Sequence, residues 1–173
     1  MFVKICGIKT PEMAKLAEEA GADMIGVVAY AKSKRYVTPA QAKNIKNAVN
    51  IPLVAVSVKI SDCKEYEADY VQAEDAHGSK CILSGSEKPQ GEFAYFLYDA
   101  SRGAGVRADY PEWVSKHRDK LILAGGLNPS NVAEVIRTYE PFGVDVSSGV
   151  ETDGEKNIDK IVEFINNAKH RAK

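Results

Sequence analysis

The stretch Leu121-Ile122-Leu123-Ala124-Gly125-Gly126-Leu127-Asn128-Pro129 decides the fold. Four uncharged apolar residues read as a strand, and the paired glycines break it. Asn128 then caps a predicted helix from Pro129 to Tyr139, and a second apolar run, Gly143–Val146, follows. That run opens into another glycine-bearing loop, Asp145-Val146-Ser147-Ser148-Gly149-Val150-Glu151. Strand, loop, helix, strand is the unit of α/β folds. Both loops offer bare backbone N–H groups of the kind that bind phosphate.

The same alternation extends to the N-terminus. Phe2–Ile5 reads as a strand, and Thr10 caps a helix from Pro11 to about Ala20 that Gly21 ends. Met24–Val28 is a second strand, Thr38-Pro39 opens a helix to about Val49, and Leu53–Val58 is a third strand. Beyond Lys59 the pattern weakens. Asp69–Gln72 and Cys81–Leu83 are short strand candidates, Phe93–Tyr98 is a clear one, and Tyr110–His117 reads as a short helix. Ile158–Lys169 closes the chain as a helix. About eight strands, mostly joined by helices, predict a (β/α)8 barrel forming one domain over residues 1–173, with an open doubly wound sheet as the competing arrangement. Such barrels typically need about 250 residues. The links after the third, fourth and fifth strands look too short for helical crossovers, so the expected barrel is trimmed in its middle third. Uncovered strands there would expose apolar faces. A homodimer contact through Tyr66, Tyr70, Ile82 and Leu83 is therefore expected.

Composition narrows the function. The 173 residues are 45% hydrophobic and 27% charged, with a formal net charge of -1. That balance lacks the basic surplus of a nucleic-acid binder. No apolar run approaches the roughly 20 residues of a membrane span, and Lys4 and Lys9 interrupt any signal-peptide pattern. The cysteines, Cys6, Cys63 and Cys81, fit neither a disulfide framework nor a zinc site, and suggest reduced thiols in a cytoplasm. His77, His117 and His170 show no ligand spacing, so no metal or other cofactor is expected. Cys6 stands where a strand runs into Gly7, which can aim a thiol into a pocket. A thiol and two phosphate-type loops, all at strand ends, point to an enzyme acting on a phosphorylated small molecule.

The strand-end residues resemble the phosphoribosylanthranilate isomerases. The likeness runs through Lys4-Ile5-Cys6-Gly7-Ile8-Lys9, Gly21-Ala22-Asp23, Ser33-Lys34-Arg35-Tyr36-Val37 and Tyr98-Asp99, then from Leu123 to Glu151, with Gly154 and Lys156 extending it. Cys-Gly-Ile on the first strand together with Ser-Ser-Gly-Val-Glu on the last is the specific part. Two places depart from the family. Its usual Gln-Leu-His-Gly after the fourth strand is Gln72-Ala73-Glu74-Asp75 here, and its Gly-Gly-Thr-Gly loop is Arg102-Gly103-Ala104-Gly105.

The resemblance implies an Amadori rearrangement of N-(5-phosphoribosyl)anthranilate to 1-(2-carboxyphenylamino)-1-deoxyribulose 5-phosphate, in tryptophan biosynthesis. It assigns Cys6 as general base and Asp99 as general acid. Arg35 would bind the anthranilate carboxylate, and Gly125, Gly126, Ser148 and Gly149 the phosphate. Asp145 would either orient the substrate amine or order its loop. Cys63, Cys81, Lys32, Lys34, Tyr30 and Trp113 keep structural or surface readings. The alternative is a sugar-phosphate-binding barrel with little or no turnover. A barrel that rearranges a related aminoaldose would usually carry two aspartates, which Cys6 argues against.

Overall fold

The computed structural model describes residues 1–99 and 110–170. Eight parallel strands close into a barrel in sequence order. They are β1 (Phe2–Cys6), β2 (Met24–Val28), β3 (Leu53–Val56), β4 (Tyr70–Ala73), β5 (Gly78–Gly85), β6 (Phe93–Asp99), β7 (Leu121–Ala124) and β8 (Gly143–Val146). Four α-helices lie among the described residues: α1 (Pro11–Glu19), α2 (Pro39–Lys46), α3 (Val132–Tyr139) and α4 (Ile158–His170). A small antiparallel pair, β9 (Glu151–Thr152) and β10 (Glu155–Lys156), stands on the rim after β8.

Alternation along each strand divides the interior from the helix-covered face. Val3 and Ile5 point outward into the main core with Ala14 and Ala17 of α1 and Phe164 and Ile165 of α4. Met24, Val54, Ile82, Leu97 and Ile122 fill the barrel interior. Below them Phe2, Tyr95 and Phe142 make mutual ring contacts with centroids 5.1–5.9 Å apart, and Tyr70 leans on Tyr95 at 6.0 Å. This aromatic plug lies at the end of the barrel opposite the carboxyl ends of the strands.

The trimming falls where the sequence predicts it. Between β3 and β4 there is one 3₁₀ turn, Ile60–Cys63. Residues 74–77 alone join β4 to β5, and residues 86–92 join β5 to β6. Short covers suffice where the outward side chains are small. Ala55 is covered by Cys63, while Ala73 and Cys81 pack with Ala76 and Ile60.

That packing removes Ile82 and Leu83 from the expected dimer patch. Ile82 is 0% exposed inside the barrel, and Leu83 is 8% exposed. Tyr66 donates its hydroxyl to the Val37 carbonyl at 2.6 Å, and Tyr70 belongs to the aromatic plug. Both tyrosines remain half-buried.

Two elements differ from their sequence reading. The helix expected from Pro129 starts at Val132, because Asn128 accepts from Ser130 N at 2.9 Å and closes a local turn first. The stretch read as a helix over Tyr110–His117 is a 3₁₀ turn, Glu112–His117, preceded by extended Pro111.

Candidate active site

The mouth is built from strand ends. β1 closes the barrel against β8 in the register Lys4↔Asp145, and pairs with β2 in the register Cys6↔Gly26. Lys4 Nζ therefore reaches Asp145 Oδ1 at 2.8 Å, with the lysine side chain 0% exposed. Gly26 makes room for both side chains of β1. A Cβ on it would stand 3.1 Å from Cys6 Sγ and 3.3 Å from Lys4 Nζ. The next turn is fixed by Gly7 at φ +80, a left-handed conformation that suits glycine, whose N–H donates to the Gly26 carbonyl at 2.9 Å.

A second cluster centres on Glu151. Its carboxylate accepts from Arg35 Nε at 2.6 Å and Nη2 at 2.8 Å, a forked contact, and from Lys156 Nζ at 2.6 Å. Lys156 also donates to the Ser147 carbonyl at 3.1 Å. Two buried or half-buried cations thus share one carboxylate, leaving a positive surplus beside the turn after β8. A Cβ on Gly7 would meet Arg35, Ser147 and Lys156 within 2.6–3.4 Å, so the β1 turn and this cluster meet closely.

Burial and charge oppose each other here. Burial pushes the Cys6 thiol up, against the pull of Lys4 and Lys156. Burial pulls Lys4 down, but Asp145 and Cys6 outweigh it and hold the ammonium above its ordinary value. For Glu151, burial would raise the carboxyl, yet Arg35 and Lys156 bring it down to about 2. Lys156 is lowered by burial despite Glu151.

Gly125 and Gly126 take φ +91 and +69 after β7, and the 3₁₀ turn Ser148–Val150 follows β8 with no side-chain cap on its first N–H groups. The two loops touch. A Cβ on Gly149 would fall 1.8 Å from the Leu127 carbonyl oxygen, so only glycine fits. Loops after the seventh and eighth strands with a short extra helix form the usual phosphate site of this architecture.

Asp99 ends β6, paired with Ala124, and lies near enough to Asp145 for the carboxylates to repel. With Val28, Val56, Gln72 and Leu97 it lines a cleft of about 850 Å³ over the β2–β6 side of the mouth. Cys6, Asp99 and Asp145 thus share the mouth, with Gly125, Gly126, Ser148 and Gly149 on its β7–β8 rim. Arg35 comes in beside them, held by Glu151. The Arg102-Gly103-Ala104-Gly105 stretch lies outside the described residues. Among the described residues no group of three His, Cys, Asp or Glu could hold a metal ion.

Sequence reasoning passed over Glu151 and Lys156 as cluster residues. Their signal was present, since both fall in the stretch that carries the family likeness, but the pairing across the β9–β10 turn is a property of three dimensions. Cys63 and Cys81 are packing residues, donating to the carbonyls of Ala55 and His77.

A family model described as N-(5'phosphoribosyl)anthranilate (PRA) isomerase matches residues 87–167. N-(5'-phosphoribosyl)anthranilate isomerase of Bacillus thuringiensis is 37% identical over 205 aligned positions, covering 100% of both chains. Those positions outnumber the 173 residues of this chain, so the relative carries residues that this chain lacks. The crystal structure of phosphoribosyl anthranilate isomerase from Thermotoga maritima superposes with a TM-score of 0.79 at 32% identity, covering 98% of each chain. A related structure describes monomers generated from that dimeric enzyme. Another such isomerase, in complex with reduced 1-(o-carboxyphenylamino)-1-deoxyribulose 5-phosphate, gives a TM-score of 0.75 at 31% identity over 98% of each chain. With a relative this similar over the whole chain, and a barrel that superposes throughout, this chain belongs to the phosphoribosylanthranilate isomerase family.

Proposed function

We propose that this chain catalyses the Amadori rearrangement of N-(5'-phosphoribosyl)anthranilate to 1-(2-carboxyphenylamino)-1-deoxyribulose 5-phosphate, with Asp99 as general acid and Cys6 as general base. One observation supports the reading: a thiol and a carboxyl end separate parallel strands, β1 and β6, on the same rim of the barrel as the glycine loops after β7 and β8. Asp99 gives a proton to the ring oxygen as the C1–oxygen bond breaks, and the anilino nitrogen takes up the charge as an iminium. Cys6, as thiolate, removes the proton from C2, and the resulting enaminol becomes the aminoketose as C1 takes up a proton and the C2 hydroxyl gives one up, after which proton exchange with solvent returns Cys6 and Asp99 to their starting forms. Lys4 and Lys156 supply the positive charge that the thiolate needs.

The Ser148–Val150 turn and the Gly125-Gly126 loop bind the 5-phosphate. Arg35 presents the guanidinium edge that Glu151 leaves open to the anthranilate carboxylate. Asp145 acts through Lys4, which orders that seam. A barrel that only binds sugar phosphates would have no use for a thiol inside this field of cations.

The test is fluorescence. Generated substrate should lose its anthranilate-type emission when the protein is added. Cys6→Ala and Asp99→Asn should fold and bind reduced product while turnover falls about 10²- to 10⁴-fold. Near-normal kcat in either variant removes that residue from the mechanism.

A homodimer and a cytoplasmic location belong to the same proposal. The dimeric Thermotoga maritima relative supports the first. Three buried free cysteines suit a reducing compartment. No helix among the described residues is long and apolar enough to cross a membrane. Light scattering at micromolar concentration should return twice 18.8 kDa, and a single-chain mass removes the dimer.

A further inference from the structure

Gln72 closes β4 on the inner face of the barrel, two residues above Tyr70 of the aromatic plug. Its backbone is fixed, since its carbonyl accepts from Ser57 N at 3.0 Å and its register partners are Val56 and Ile82. The residue is only 7% exposed, and Oε1 is the sole buried side-chain oxygen or nitrogen among the described residues without a hydrogen-bond partner. A buried carbonyl left unpaired is costly, and proteins seldom keep one without a reason. Here Gln72 borders the cleft with Val28, Val56, Ser57, Ser84 and Leu97, and none of these neighbours donates to its oxygen.

We infer that Gln72 is a substrate-binding residue whose carboxamide oxygen accepts a hydrogen bond from the amine N–H on C1 of the sugar. The inference rests on the isomerase reading. In the closed strand order β4 lies diametrically across from β8. A ribose whose 5-phosphate sits on the Ser148–Val150 turn after β8 extends its C1 end toward β4. The donor at that end is the secondary amine that joins sugar to aromatic ring. Gln72 then holds the nitrogen whose lone pair drives ring opening, and its pairing is completed only when substrate enters. The same oxygen selects an amine-linked substrate over an ether-linked one, which has no hydrogen to give.

The roles of ligand contact and of core support predict opposite signs. Replacing Gln72→Met removes an unpartnered oxygen at similar volume. Its melting temperature should stay level or rise, while kcat/KM falls roughly ten- to a hundredfold. A melting temperature that drops together with activity overturns the inference in favour of simple support. Unchanged kcat/KM overturns it as well. The second readout is a pair of inhibitors, the reduced product and its analogue with oxygen in place of the C1 nitrogen. Wild type should bind the amine better, and Gln72→Met and Gln72→Leu should bind both alike. Equal preference in wild type and variants refutes the contact. Wild-type turnover is measured alongside. Its absence brings down the isomerase reading and this one with it, whereas turnover with an indifferent Gln72→Met brings down this one alone.

Discussion

Lys156 has its ammonium 2.6 Å from Glu151, and its charge acts on the Cys6 thiol. A thiolate in a buried site is costly unless cations face it. Lys156→Met removes one of those cations without touching Lys4. Burial already raises the thiol, so the variant moves it further in the same direction. The acid limb of the pH profile of kcat/KM should shift to higher pH, with the plateau reached later. A limb that stays in place would mean that Cys6 does not set it, or that Lys156 does not act on it. At this scale the sequence told part of the story. Cys6, Asp99, Arg35 and Asp145 stand out in the sequence as strand-end or loop residues. Contacts do not, because Lys4 and Asp145 are 141 positions apart and meet only through barrel closure. Gln72 was equally hidden, since an unsatisfied oxygen is a property of its surroundings.

The two loops after β7 and β8 act as one element. Gly149 lets the turn after β8 rest on the Leu127 carbonyl, with no room for a methyl group. Gly149→Ala must push the loops apart, and with them the amides of Ser148–Val150. The strands beneath are unaffected, so circular dichroism should match wild type. KM for the phosphorylated substrate should rise roughly ten- to a hundredfold, as expected when a binding group moves by about an ångström. Unchanged KM would place the phosphate elsewhere. Elements were legible where a single force dominates. β1, β2, β7 and β8 are uncharged or nearly so, and their limits came within a residue. β5 begins at Gly78 and carries exposed Ser79 and Lys80 before its buried run, so only Cys81–Leu83 stood out. The start of α3 was misplaced because asparagine serves turns and caps alike.

Across the whole molecule, Glu151 joins the loop after β2 to the rim after β8 through Arg35 and Lys156. Its folded-state carboxyl sits at about 2, below the 4.5 of an ordinary glutamate. The sign follows from linkage. The stability it gives is present above the unfolded value and is lost as pH falls from about 4.5 through about 2. Acid titration of wild type should show that loss. Glu151→Gln should show less of it, and should be less stable at neutral pH by about 3 kcal/mol, because two cations lose their anion. Equal acid sensitivity in both proteins would remove Glu151 from the linkage.

The seam between β1 and β8 has a consequence in time. It pairs Phe2 with Gly143 and Lys4 with Asp145, so the first strand must wait for the last. Such distant pairing makes closure a late and slow event in folding. Until it happens, Cys6 has no fixed Lys4 beside it, and the turn after β8 has no β1 turn to meet. In a refolding experiment, helical signal should therefore return before the ability to bind reduced product. The field of charge around Cys6 belongs to the closed ring and to no arc of it.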